Sequence, residues 1–148
     1  MGGQPLAQRL HDKGHNWEDL TKLIPQITLQ GILGYPFNCP DMIGGGEYGS
    51  VIDLKSIDQE LIVRSAQVHA LMPMMQFSVA PWRVLNEQNL EAVKKAIAIR
   101  KEYTPFIMEL VKKAAITGEP VVRSMEYEFP HQGYFNIKDQ FMLGSKIL

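Results

Sequence analysis

Hydrophobic and polar positions in the first third of the chain predict a polar loop, a helix, a short strand and a long loop. Residues 16–33 carry apolar side chains at helical spacing, and Asn16 can cap the helix that they predict. Residues 35–39 form a short apolar run between turn formers, which favours a buried strand. Residues 40–55 contain four glycines and three acidic residues, so a long loop is expected after that strand.

The same order recurs further along the chain. Ser56, followed three positions later by Gln59, predicts a capping box that opens a helix extending to about Leu71. Residues 74–78 form a second short apolar run, which predicts another strand, and residues 79–85 predict a loop. A repeated alternation of helices and short apolar strands is typical of α/β proteins with parallel strands.

The longest predicted helix covers residues 87–116, where apolar side chains again recur at helical spacing. Pro105 lies near the middle of this segment and is expected to break or bend the helix, because proline lacks a backbone N–H. Gly118 follows the last apolar position and is expected to end the helix.

Beyond this helix the hydrophobic period changes to two. Apolar and polar residues alternate over residues 124–129, which predicts a half-buried antiparallel strand, and residues 140–143 and 146–148 predict further strand pieces. We therefore expect an α/β fold for residues 1–118 and the start of a β domain for residues 119–148. Helices and parallel strands followed by glycine- and tryptophan-containing loops resemble the last part of a (β/α)8 barrel.

Composition and charge exclude several classes of function. The 148 residues include 15 basic and 16 acidic side chains, for a net charge of -1, and contain no basic run. We therefore expect neither nucleic acid nor a membrane as a partner. The single cysteine, Cys39, allows no intramolecular disulfide. No signal or lipid-anchor motif is present, but the signal peptide of a longer parent chain would not appear here, so the localisation stays open.

No motif in the sequence predicts a cofactor or a metal ion. The glycines at 44–46 lack the Lys-Ser/Thr of a phosphate-binding loop, and the acidic residues around them lack the spacing of a calcium loop. We therefore expect no cofactor and no metal.

Four segments of the sequence together resemble one family of enzymes. They are LHDKGHNWEDL, GYPFNCPDMIGGG, VRSAQVHALMPMMQFS and GEPVVRSMEYEFP with DQFMLGSKIL. Their order and spacing are similar to those of segments near the end of the catalytic barrel in glycoside hydrolase family 31. The resemblance implies a (β/α)8 barrel followed by β-sandwich domains. It also implies retaining cleavage of α-glycosides, with an α-linked oligosaccharide or glycoside as the partner.

The resemblance assigns roles to single residues. It implies that Asp12 is the general acid/base and that Asp41 is a sugar-binding aspartate. Trp17, near Asp12, would exclude water and help to keep its carboxyl group protonated. Taken on its own, an aspartate in such a loop is usually a turn or capping residue, so these roles depend on the combined pattern. Trp82, in the loop after the second predicted strand, either lines the sugar pocket or packs in the core.

Departures from the family pattern bear on the choice of sugar. Gly45 stands where many α-glucosidases of the family carry an aromatic residue, and Gln76 and Ser78 stand in the place of an Arg-x-His motif. The segment around them resembles a subgroup that acts on α-galactosides. Galactosides and glucosides therefore remain equal alternatives.

The family's nucleophile motifs, of the type Trp-x-Asp-Met-Asn-Glu or Lys-x-Asp-Gly-x-Glu, do not occur in this sequence. We therefore expect that the chain is part of a retaining α-glycosidase and that the isolated chain is inactive. A non-catalytic fragment, or a carbohydrate-binding or interaction module, is one alternative, and an α-transglycosylase is another. A partial barrel would also expose strand edges that favour self-association.

Overall fold

Helices dominate the computed structural model, which describes residues 7–51, 53 and 57–148. The helices of this described part are α1 (Trp17–Ile32), α2 (Gln59–His69), α3 (Glu87–Thr117) and α4 (Met125–Glu128). Its strands are β1 (Gln8–Arg9), β2 (Asn38–Cys39), β3 (Val122–Arg123) and β4 (Met142–Leu143). Single 3-10 turns occur at Tyr48–Val51, Pro81–Arg83 and Tyr134–Asn136. None of the helices within these described ranges is long and apolar enough to cross a membrane.

The first half of the chain places short strand segments in parallel. β1 pairs with β2 in parallel, and Ile43 forms a parallel bridge with Phe77. The prediction of a polar loop before α1 was therefore wrong at β1. Among the described residues, the strand predicted over residues 35–39 is paired at Asn38–Cys39, and the one predicted over 74–78 is paired at Phe77. Because these strand segments pair in parallel, the loops that follow them lie at the same end of the strands.

Helix α1 forms as its sequence predicts. The Asn16 side chain accepts a hydrogen bond from the backbone N–H of Asp19 at 2.8 Å, which satisfies one of the free donors at the start of the helix. The apolar face of the helix is buried, including Leu23 and Ile27, which pack in one core cluster with Met72 and Val122. Burial of this face fixes α1 against the strands.

Helix α2 begins differently from its prediction. The capping side chain is that of Asp58, which accepts from the backbone N–H of Leu61 at 3.1 Å. Ser56, the predicted cap, lies outside the described residues. Asp58 caps the helix because it directly precedes the first helical residue, Gln59. The helix ends at His69, two residues before the predicted end.

Helix α3 continues through Pro105, so of the two predicted effects of this proline the break is wrong, while the bend stays a prediction. The missing N–H of a proline costs one intrahelical hydrogen bond, and burial of Val93, Ala96, Ile107 and Ala114 along the helix offsets that cost. Gly118 ends α3 as predicted, with the left-handed φ of 74° that glycine adopts without a steric penalty.

The predicted antiparallel strand over residues 124–129 is wrong, because this segment contains α4. Ser124 accepts from the backbone N–H of Tyr127 at 3.1 Å, and Arg123 forms an ion pair with Glu128 at 2.8 Å. These two local contacts favour a helical turn over extended backbone. β3 and β4 form an antiparallel pair instead. Beyond β4, the strand contact seen within the described part of the chain is the bridge of Ile147 to Leu143.

Candidate functional site

Asp41 is the most deeply buried acid of the candidate site and directly follows Pro40 after β2. Its side chain is 0% exposed, and its backbone adopts a left-handed φ of 68°, which aspartate tolerates better than most residues. The Asp41 carboxylate forms an ion pair with Arg9 and accepts the backbone N–H of Lys13 at 2.9 Å. Gly46 leaves room for it, because a Cβ at Gly46 would lie 2.6 Å from Oδ2 of Asp41.

Arg9, at the end of β1, joins the two acids that the family resemblance singles out. One guanidinium nitrogen lies 2.6 Å from Oδ1 of Asp12, and another pairs with Asp41. The hydrogen bond with Asp12 raises the pKa of Arg9 above its usual value. The Asp12 side chain is 58% exposed, so one of the paired acids faces solvent and the other is buried.

Lys13 lies directly after Asp12 and is buried, which is uncommon for a lysine. Its Nζ donates to the carbonyl oxygens of Pro40 at 3.2 Å and Met42 at 2.7 Å, and lies 3.9 Å from Oδ2 of Asp41. Burial lowers the pKa of Lys13 to about 8, against the opposing attraction of Asp41. The ammonium group is therefore held by carbonyl oxygens next to the buried carboxylate.

His69, at the end of α2, also contacts the backbone of Asp41. Its Nε2 lies 3.2 Å from the carbonyl oxygen of Asp41, and its Nδ1 lies 2.6 Å from that of Ser65. Burial, together with the smaller effect of the positive charge of Lys13, lowers the pKa of His69 to about 4. The imidazole is thus neutral near neutral pH.

Gly45, Gln76 and Ser78 come together through their shared neighbour Ile43. The N–H of Ile43 donates to the Gln76 carbonyl at 2.8 Å, and the Ser78 hydroxyl donates to the Ile43 carbonyl at 2.9 Å. Gly45 has a left-handed φ of 91° and follows Gly44, where a Cβ would lie only 2.4 Å from Oγ of Ser78. The three predicted residues therefore lie on two loops in close contact, beside the segment that carries Asp41.

The two tryptophans occupy different positions. The indole N–H of Trp17 donates to the Asp58 carboxylate at 3.0 Å, so this side chain links α1 to the start of α2. The contact that the structure gives the Asp12 carboxylate is with Arg9, not with the indole of Trp17. Trp82, on the 3-10 turn Pro81–Arg83, is 73% exposed, so its packing in the core is excluded.

The sequence did not single out Arg9, Lys13 or His69 as site residues. A usable signal existed for His69, because it shares a helix face with the buried residues Ile62 and Ala66 of α2. A polar side chain on such a face needs a partner in the interior. Arg9 and Lys13 gave no comparable signal, since both lie in a segment that predicts a polar loop.

Within the described ranges, no group of three or more His, Cys, Asp or Glu side chains is arranged to hold a metal ion. The candidate site consists of two carboxylates, a guanidinium and a buried ammonium group. These hydrogen-bond donors and acceptors are suited to hydrogen bonding and proton transfer with a polar organic ligand.

Parallel strand segments, helices that follow them, and polar groups on the loops after the strands define the class of this protein as part of a (β/α)8 barrel. The family model for the TIM-barrel domain of glycosyl hydrolases family 31 matches residues 6–110. The chain therefore belongs to glycoside hydrolase family 31, as its sequence resemblance implies.

Proteins from several organisms are similar in sequence to this chain. The chain is 35% identical to the myogenesis-regulating glycosidase of Mus musculus, over 95% of this chain and 21% of that protein. It is 32% identical to the SITS-binding protein of Tetronarce californica, over 97% of this chain and 21% of that protein. It is 33% identical to a probable glucan 1,3-alpha-glucosidase of Arabidopsis thaliana, over 93% of this chain and 15% of that protein.

Solved structures have the same fold. The glucosidase II alpha subunit bound to Glc1Man2 superimposes with a TM-score of 0.76 at 25% identity, over 93% of this chain and 15% of that one. A family 31 alpha-glucosidase from Bacteroides thetaiotaomicron gives a TM-score of 0.76 at 21% identity, over 89% of this chain and 22% of that one. The chain spans about a fifth or less of the length of these proteins.

Proposed function

We propose that this chain is the part of a retaining α-glycosidase that supplies the general acid/base and part of the sugar pocket. Asp12 is the acid/base, and Asp41 binds the sugar. The observation that carries the proposal is the position of Arg9, whose guanidinium contacts both carboxylates at the ends of two paired parallel strands. Carboxyl groups on the loops after barrel strands are where this fold carries its active sites.

The proposed reaction needs a second catalytic carboxylate. In a retaining glycosidase, one carboxyl group protonates the leaving oxygen while another, about 5 to 5.5 Å away, attacks the anomeric carbon. The family's nucleophile motifs are absent from these 148 residues. We therefore propose that the nucleophile comes from another part of the full protein and that this chain alone turns over no substrate. An α-transglycosylase would use the same two carboxylates, with a sugar in place of water.

The proposed division of the chain follows from the same assignment. Residues 1–118 form the last part of the catalytic barrel, and residues 119–148 begin a C-terminal β-sandwich domain. Support comes from the change of strand type at this boundary, since β1 and β2 are parallel whereas β3 and β4 are antiparallel.

Replacement of the acid/base tests the proposal in the full protein that carries this chain. Asp12→Asn should slow a substrate with a basic leaving alcohol by roughly 10²- to 10⁴-fold. A dinitrophenyl glycoside should be slowed far less, because its leaving group needs no proton. Azide should restore turnover of the dinitrophenyl glycoside. Asp139→Asn, at another exposed aspartate, is the matched control. Equal losses on both substrates without an azide effect would reject Asp12 as the acid/base.

The proposed sugar is an α-galactoside or an α-glucoside, bound with Trp17, Gly45, Gln76, Ser78 and Trp82 near the pocket. The small residues Gly45 and Ser78 leave space for an axial hydroxyl group, in polar surroundings. A mismatched hydroxyl leaves buried polar groups unpaired, at a cost of roughly 1 to 3 kcal/mol per group. We therefore expect the ratio of kcat/KM for the two nitrophenyl glycosides to favour galactose. A tenfold preference for glucose would contradict the galactoside assignment.

A second candidate function is a binding module without catalysis. One specific observation favours it, namely that a relative over nearly the whole chain is named for binding SITS rather than for an enzymatic activity. Under this alternative, the full protein would bind an α-glycoside in calorimetry but release no nitrophenol. Turnover that depends on Asp12 would exclude it.

A further inference from the structure

We propose that Lys13 is a positioning residue that fixes Asp41 relative to Asp12. This inference rests on the proposed function, because it assigns a role to Lys13 through the proposed acid/base and sugar-binding residue. Lys13 itself is proposed to touch neither substrate nor the reacting atoms.

The contacts of Lys13 surround Asp41 on both sides along the chain. Its Nζ donates to the carbonyl oxygen before Asp41, that of Pro40, and to the one after it, that of Met42. Its backbone N–H donates to the Asp41 carboxylate at 2.9 Å. One residue therefore holds both the backbone and the side chain of Asp41.

The backbone carbonyl of Lys13 holds the far end of the same loop. It accepts the backbone N–H groups of Gly46 at 2.9 Å and Glu47 at 3.3 Å. The loop that carries Asp41 is thus bound to Lys13 at both ends. Because Lys13 is bonded covalently to Asp12, this arrangement fixes the distance between the two proposed site residues.

The buried position of Lys13 is energetically costly for a lysine. Its side chain is only 9% exposed, and burial lowers its pKa to about 8. Apolar residues fill such positions at less cost, so the presence of a lysine here indicates a role for its charge.

The charge of Lys13 is set by groups on several elements. The titratable and charged groups that face it are Arg9, His15, Asp19, Cys39, Asp41 and His69. Below a pH of about 8 the ammonium group is charged and can donate to both carbonyl oxygens at once, whereas above it the neutral amine donates more weakly. Lys13 should therefore no longer hold Asp41 in position above a pH of about 8.

A pH profile of kcat/KM in the full protein tests the charge. The wild type should lose at least tenfold between pH 7 and pH 9.5. Lys13→Met should be low already at pH 7, near the level of the wild type at pH 9.5, and should show no step near pH 8. Lys13→Arg stays charged and should keep at pH 9 most of the activity that it has at pH 7. Lys94→Met and Lys94→Arg, at an exposed lysine of α3, should follow the wild type.

Hydrogen exchange at pH 7 gives a readout that does not depend on activity. Lys13→Met keeps the backbone carbonyl that accepts from Gly46 and Glu47 and loses the bonds of Nζ to the carbonyl oxygens of Pro40 and Met42. It should therefore speed by at least tenfold the exchange of the backbone amides of Gly45, which donates to the Met42 carbonyl, and of Ile43 next to it, while the amides within α3 should not change. If the wild type hydrolyses no α-glycoside, the proposed function fails, and the exchange result alone decides whether Lys13 holds the loop. Unchanged exchange in Lys13→Met, or an alkaline step near pH 8 that persists in this variant, would overturn the inference.

Discussion

Replacement of His69 by glutamine should remove a specific loss of stability in acid. The imidazole is fully buried, and its pKa is lowered from 6.5 to about 4. Glutamine keeps a side-chain N–H group that can donate to a backbone carbonyl oxygen at this position, and it does not titrate. The comparison therefore separates the protonation of His69 from the loss of its hydrogen bond.

The magnitude follows from the difference between the two pKa values. Between pH 6.5 and pH 4 the unfolded chain binds a proton at His69 that the folded chain does not bind, so stability rises with pH across this window. Each pKa unit corresponds to about 1.4 kcal/mol, so the full difference is roughly 3 kcal/mol. This contribution is complete above pH 6.5 and is lost as the pH falls toward 4.

Urea unfolding followed by circular dichroism at pH 7.5, 6.5, 5.5 and 4.5 measures the effect. The wild type should lose roughly 2 to 3 kcal/mol more than His69→Gln between pH 7.5 and 4.5. His11→Gln, at an exposed histidine, should lose as much as the wild type. Parallel curves for the wild type and His69→Gln would show that His69 is not buried as a neutral group, and would refute the reasoning.

Three further outcomes are expected. Gly46→Ala should lower the free energy of unfolding by roughly 1 to 3 kcal/mol in urea melts, because the added Cβ meets the buried Asp41 carboxylate, and an unchanged midpoint would contradict this. Arg100→Met should cost roughly 1 to 3 kcal/mol in the same assay, since the carbonyl oxygens of Met72 and Pro73 lose their guanidinium donor, and a variant as stable as the wild type would show that water replaces it. The pure 148-residue chain should release no more nitrophenol from α-glucosides or α-galactosides than a denatured sample, and any excess would contradict the assignment of the nucleophile to another segment.

The helices were predictable because their signals are local. Short windows of sequence show the N-cap Asn16 of α1, the C-terminal Gly118 of α3 and the apolar spacing within each helix. The structure confirms α1 and the end of α3. The strands were harder, because β1 and β2 have two residues each, too few to show a period of two. At residues 124–129 the alternation was genuine in sequence, but the Ser124 cap favoured a helix.

The candidate site was only partly predictable. Asp12 and Asp41 came from the family pattern, and the pattern carried no information on what holds them. Lys13 and His69 are each 28 residues from Asp41 in sequence. The contact of Lys13 with Asp41 depends on the pairing of β1 with β2, and that of His69 depends on the end of α2 lying next to Asp41. Such long-range partners become visible only when the chain is folded.

The shared guanidinium of Arg9 has a consequence for how this protein can evolve. If either Asp12 or Asp41 is lost, Arg9 pairs with one carboxylate instead of two, and its interaction with the remaining acid changes. The effects of the two substitutions therefore cannot be additive. A lineage that replaces one of these acids changes the selective value of the other. Epistasis of this kind predicts that the two acids and Arg9 are gained and lost together, as one inherited unit.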